Sequence, residues 1–149
     1  KIANTNSEAL AFALDQALNN TSVVALLHFA GKHLLFAGDA QYGNWQYWIE
    51  AAGGKDILSK VSFYKVAHHG SLNATPRGAL ENMSKGEFAA MVSTQNEPWP
   101  SIPYDKLMDA LSTQTENHIV RSDSLPVDKA PAGPVMKKLP EGFKKGDFW

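Results

Sequence analysis

The chain has no cysteine, which removes disulfides, thiolate metal ligands and cysteine nucleophiles together. It also lacks a long apolar run. Runs such as Ala9 to Leu14 and Val23 to Leu27 fall far short of the ~20 residues that a membrane-crossing helix needs. Charge of either sign is not in excess. A formal net charge of −1 advertises neither nucleic acid nor an acidic membrane surface as a partner. No apolar leader follows Lys1, so no signal peptide is expected, and the missing start methionine points to processing or to a piece of something longer. The absence of cysteine suits any compartment and leaves localisation open, with the cytoplasm favoured. What is present, 149 residues at 44% hydrophobic, suits one globular domain with a real core.

The periodicity alternates between helix and strand. Residues 4–20 read as a helix capped by Ser7, with Leu10, Leu14, Ala17 and Leu18 as its apolar stripe. Residues 21–29 form an almost unbroken apolar strand. Ala30-Gly31-Lys32 turns the chain back into a second arm over 33–37. A helix over 42–52 carries Trp45, Trp48 and Ile49 on one side and stops at Gly53-Gly54. A strand over 60–67 follows, then a helix to about Met83 opened by Thr75 as cap and Pro76 in the first turn. Short strands over 88–92 and 118–120 bracket a helix over 104–111 with Leu107, Met108 and Leu111 inward. The class is therefore α/β, a mixed sheet with helices packed on one face. The domain covers 1–122, and 123–149 is a Pro/Gly-rich extended arm. Lysines and aromatics near the end of that arm (Lys144, Lys145, Phe148, Trp149) resemble a single-strand nucleic-acid tract. Neighbouring acids such as Asp128, Glu141 and Asp147 nearly cancel the charge, so a solvated arm is the preferred account.

Chemistry concentrates at two strand ends. Leu34-Leu35-Phe36-Ala37 ends in Gly38-Asp39-Ala40, where the glycine lets the backbone bend and turn a carboxylate outward. Such a carboxylate can bridge two metal ions, or can be an ordinary turn or cap residue. Phe63-Tyr64-Lys65-Val66 ends in Ala67-His68-His69-Gly70-Ser71, and imidazole is the commonest protein metal ligand. On an extended backbone adjacent side chains diverge, so one ion takes only one of the pair. His69, beside the glycine, is the expected ligand. His68 is expected to orient a ligand or donate to a developing oxyanion. His28, His33 and His118 are assigned structural positions. Trp45, Tyr47 and Trp48 are core and boundary aromatics, or the wall of a substrate pocket.

The stretches 31–40 and 65–71, in that order and both on strands, resemble the later half of the metallo-β-lactamase fold, in the branch of ComEC-like hydrolases. Residues 19–24 and 120–123 share the likeness, which spans about residues 7–123. The resemblance implies the C-terminal half of an αββα sandwich that holds one or two metal ions, usually zinc, at a sheet rim. Asp39 would bridge the metals and His69 would bind the second. The implied chemistry is attack by metal-bound water on an ester, amide or phosphodiester, since zinc lowers the water pKa to about 7.

The family's first metal motif, His-x-His-x-Asp-His, occurs nowhere in this sequence. The chain is therefore expected to be the C-terminal part of a longer hydrolase, inactive alone because Asp39 and His69 supply fewer than the three protein ligands a catalytic zinc commonly takes. A half-sandwich would leave one sheet face needing cover, from the missing N-terminal half or by self-association. The alternative is a non-catalytic binding or scaffold module of the same fold. A phosphodiester, including nucleic acid, is the substrate class that the branch suggests.

Overall fold

The computed structural model describes residues 21–51, 53–95 and 99–124. The helix expected over 4–20, and the arm from 125 onward, lie outside the described residues. Five strands form one mixed sheet in the order β1 (Ala25–Phe29), β2 (Lys32–Phe36), β3 (Val61–Lys65), β4 (Ala89–Val92) and β5 (Ile119–Arg121). β1 and β2 are an antiparallel hairpin, and each later pair is parallel. The hairpin turn places Ala30 and Gly31 at φ 49° and 75°, the positive values that a tight two-residue connection following the strand twist requires.

Parallel pairing demands crossovers, and helices supply them. α1 (Tyr42–Glu50) and α2 (Gly54–Ser59) link β2 to β3, α3 (Arg77–Glu81) lies between β3 and β4, and α4 (Asp105–Gln114) links β4 to β5. The expected helix over 42–52 ends at Glu50. Ala51 is already extended, so the helix does stop before Gly53-Gly54, but Gly53 takes φ 87° and a second helix, not foreseen from the two glycines, starts at once. A Cβ on Gly54 would collide with the Trp48 carbonyl, so this glycine serves close packing between the two helices. Thr75 is not a helix cap. It is buried, and its hydroxyl shares a 2.8 Å hydrogen bond with the Tyr64 hydroxyl.

The period-two alternation of the strands decides where the core sits. Leu35, Tyr64 and Ala90 are register partners across β2, β3 and β4, and all three are buried. Trp45 of α1 meets the Tyr64 ring edge-on at 5.9 Å and donates its indole N–H to the Ala74 carbonyl at 2.7 Å. Leu107, Met108 and Leu111 of α4 join the same core, as their spacing predicts. The alternate positions behave differently. Leu27, Phe36 and Met91 are exposed, with Phe63 packed against Phe36 at 5.8 Å between ring centroids. Among the described residues there is one sheet, so the α/β mixed sheet is established and a second sheet is not part of it. No helix among them is long and apolar enough to cross a membrane.

Candidate functional site

Because β2 and β3 run parallel, their carboxyl ends open at one edge of the sheet, where this topology leaves room for a ligand. The strands stop together, with Phe36 paired to Lys65. Just past that point the His68 amide donates to the Gly38 carbonyl at 2.9 Å. The Gly-Asp-Ala and His-His-Gly stretches are thereby tied backbone to backbone. Gly38 has φ +54°, and a Cβ there would sit 3.0 Å from the Val23 carbonyl oxygen. On the next residue, the Asp39 amide donates to the Ser22 hydroxyl at 3.2 Å. Asp39 is half-buried at this rim. Burial lowers the pKa of the Lys65 ammonium, while the Asp39 charge works in the opposite direction. That ammonium donates to the Val66 carbonyl at 3.2 Å.

The histidines do not lie on an extended strand. β3 ends at Lys65, and Ala67–Gly70 is a tight helical turn in which His68 (φ 42°, ψ 46°), His69 (φ 56°, ψ 16°) and Gly70 (φ 77°) all have positive φ. The divergence expected of neighbours on an extended backbone therefore does not arise. Both imidazoles border one cavity, with ring centroids 6.4 Å apart. Two successive non-glycine residues in this region cost about 1–3 kcal/mol each and persist only where the surroundings dictate them. Here the surroundings do so. The Ala67 amide donates to the buried Tyr64 hydroxyl at 3.2 Å, the Ser71 amide to the His68 carbonyl at 2.9 Å, and the Tyr104 amide to the Gly70 carbonyl at 2.8 Å.

Both rings are also oriented by their Nδ1 atoms. His69 Nδ1 lies 2.9 Å from the Ser93 carbonyl, which can only accept, so Nδ1 carries the proton and the neutral ring presents a lone pair at Nε2. His68 Nδ1 lies 3.3 Å from Asn73 Oδ1, which also accepts from the Ser71 hydroxyl at 2.8 Å. Neither Nε2 has a partner among the described residues. A metal-binding or proton-donating histidine is commonly prepared in this way, with one nitrogen held so that the other is aimed.

The cavity beside the histidines measures about 710 Å³ and is lined further by Thr94, Gln95, Trp99 and Ile102. Ser122 clips its wall: its hydroxyl accepts from the Thr94 amide at 2.7 Å and donates to the Thr94 carbonyl at 2.5 Å. The Thr94 side-chain hydroxyl, in a residue 8% exposed, has no partner. Asp39 does not line this cavity. A separate depression of about 320 Å³ is formed by Ser22, Val24, Gly43, Asn44, Tyr47 and Trp48.

The structure thus brings Asp39, His68 and His69 to one rim, and sets His28, His33 and His118 apart from it. His28 and His33 stack across the hairpin at 4.6 Å, and His118 Nδ1 lies 2.7 Å from the Thr115 carbonyl. Trp45 is core, whereas Tyr47 and Trp48 wall the smaller depression. The donors fall short of a complete metal centre: among the described residues no group of three or more His, Asp or Glu side chains could hold an ion. Sequence reading passed over Ser22, Asn73, Ser93, Thr94 and Trp99. Ser22 lay inside a stretch already singled out, and Trp99 was visible as an aromatic in a proline-broken loop. Ser93 acts through its carbonyl and leaves no side-chain signal. No family model, curated protein or solved structure matches this chain.

Proposed function

We propose that this chain carries part of the centre of a metal-dependent hydrolase of the metallo-β-lactamase type, acting on an ester or phosphodiester. The observation that supports it is the junction of the two motifs at adjacent parallel strand ends, with the His69 Nδ1 proton held by Ser93 and Nε2 left open. In this reading Asp39 and His69 are metal ligands and zinc is the metal, with remaining ligands supplied from outside the described residues. His68, held through Asn73 at Nδ1, presents Nε2 to the substrate and donates from it to a substrate oxygen only when the ring carries its second proton. Lys65 steers anions toward the rim.

Zinc binding tests this directly. Competition with a chromophoric chelator is expected to give an affinity that Asp39→Ala and His69→Ala each lower by about 10-fold or more. Zinc binding unchanged in both variants ends the reading. The second reading, a binding module without catalysis, is favoured by the incomplete donor set. It predicts ligand binding by a protein that takes up no zinc.

A further inference from the structure

The chain has five histidines. His68, His69 and His118 each hold Nδ1 beside an oxygen acceptor. The other two, His28 and His33, meet each other across the β1–β2 hairpin. They are register partners, so both side chains stand on the same face of the sheet. The Ala30-Gly31 turn closes on the Phe29–Lys32 pair. In a two-residue hairpin that flanking pair exchanges backbone hydrogen bonds, and the next pair is the non-hydrogen-bonded kind, whose side chains are closer. The His33 amide agrees with this, facing β3 with the Ser62 hydroxyl oxygen 3.5 Å away. The two imidazoles stack with centroids 4.6 Å apart and planes at 20°.

A cross-strand stack helps to hold a hairpin, and two imidazoles this close are also a donor pair for one ion. An ion about 2.0–2.1 Å from each of two adjacent nitrogens holds them about 3 Å apart. Rings with centroids 4.6 Å apart reach that spacing by turning about their Cβ–Cγ bonds, a torsion that is broad for histidine. The backbone that sets the separation does not have to move. Access is open as well, since His28 is exposed and His33 half-buried. Imidazole suits zinc, nickel and copper. Of these divalent ions copper(II) binds nitrogen donors most tightly and accepts a tetragonal arrangement.

We propose that His28 and His33 form a metal site of their own, which takes a divalent transition-metal ion, copper(II) most tightly, with water completing its coordination. The site is separate from the rim. His33 stands near the start of β2 and Asp39 beyond its end, and the strand from His33 to Phe36 alone covers about 10 Å. An ion here clamps the hairpin from which the Asp39 turn departs, with Ser22 before β1 and Asp39 after β2.

The test is titration of the full chain with copper(II) nitrilotriacetate, a chelate that leaves two adjacent positions on the ion open and so selects paired donors. Calorimetry is expected to show binding that His28→Gln and His33→Gln each weaken by about 10-fold or more, because a lone imidazole loses the advantage of the second donor. The double variant should lose little beyond either single one. At substoichiometric copper, paramagnetic resonance should show two imidazole nitrogens in the parent and one in each single variant, which a purely structural stack would not produce. The chelate should raise the urea midpoint of the parent and leave that of the double variant unchanged. His68→Gln/His69→Gln should leave this binding in place.

Copper bound equally well after His28→Gln/His33→Gln overturns the proposal, as does a single-nitrogen signal in the unsubstituted protein. Binding abolished by His68→Gln/His69→Gln also overturns it, by placing the copper at the rim. The hydrolase reading stands or falls separately: zinc held through Asp39 and His69 neither requires nor excludes copper at the hairpin.

Discussion

The amide of His68 and the carbonyl of Gly38 form a 2.9 Å hydrogen bond across two strand ends. That bond sets the spacing between a carboxylate turn and an imidazole turn far apart in the sequence. It also depends on backbone shapes that few residues adopt, and the first predictions concern these.

Glycines along this path should respond to alanine in graded fashion. Gly31 has φ +75° with open space around it, so Gly31→Ala carries only the left-handed penalty of about 1 kcal/mol. Gly38→Ala adds a 3.0 Å approach to the Val23 carbonyl. Gly70→Ala meets Pro103, Met108 and Val92 at 3.0, 3.2 and 3.3 Å, and its loss should be greatest, about 3 kcal/mol. Urea unfolding of the three variants measures the order. Equal losses would show that the contacts around Gly38 and Gly70 do not govern the rim.

His69 is exposed and takes φ 56°. His69→Gly and His69→Ala both lose the bond to Ser93, but only alanine keeps the strain. The glycine variant should be the more stable of the two by about 1 kcal/mol in denaturant titration. A more stable alanine variant would mean that the turn relaxes to negative φ.

Thr94→Val removes a buried hydroxyl that has no partner and preserves shape. Stability should rise by about 1 kcal/mol, measured by thermal and urea unfolding. A loss of that size instead would mean that the hydroxyl is satisfied in solution.

Burial pushes the Tyr64 hydroxyl up to about 12, against an ordinary 10, with its hydrogen bonds to Thr75 and Ala67 acting the other way. The folded state holds this proton more tightly than the unfolded chain. The contribution to stability is therefore complete below pH 10 and is lost as pH climbs toward 12, a change on the order of 3 kcal/mol. Tyr64→Phe should flatten that alkaline slope, at the cost of leaving the Ala67 amide and Thr75 hydroxyl unpaired. An unchanged slope would place the alkaline transition elsewhere.

Local pattern carried much of this fold. Leu107, Met108 and Leu111 point inward because helical spacing leaves no other apolar face, and the hairpin follows from apolar arms around Ala30-Gly31. α2 was missed because two glycines suggest a stop, whereas Gly54 is there to let Trp48 approach. The histidine turn was read as strand because nothing in the residue types His-His announces left-handed backbone. Surrounding contacts from Tyr64, Ser93 and Tyr104 impose it. Asp39 and His69 were legible as chemistry at strand ends. Their supporting groups were not, since Ser93 and Thr94 reach the rim through parallel pairing of strands distant in the chain, and Ser22 through the antiparallel pairing of β1 with β2.

That construction has a kinetic corollary. The rim draws on residues around 22, 38, 68, 93 and 122, held by bonds such as Asp39–Ser22 and Thr94–Ser122, and no segment contains enough of it to form locally. Closing such distant loops is slow, so ligand-binding competence should emerge late during refolding, together with the docking of β5, while helical signal develops earlier.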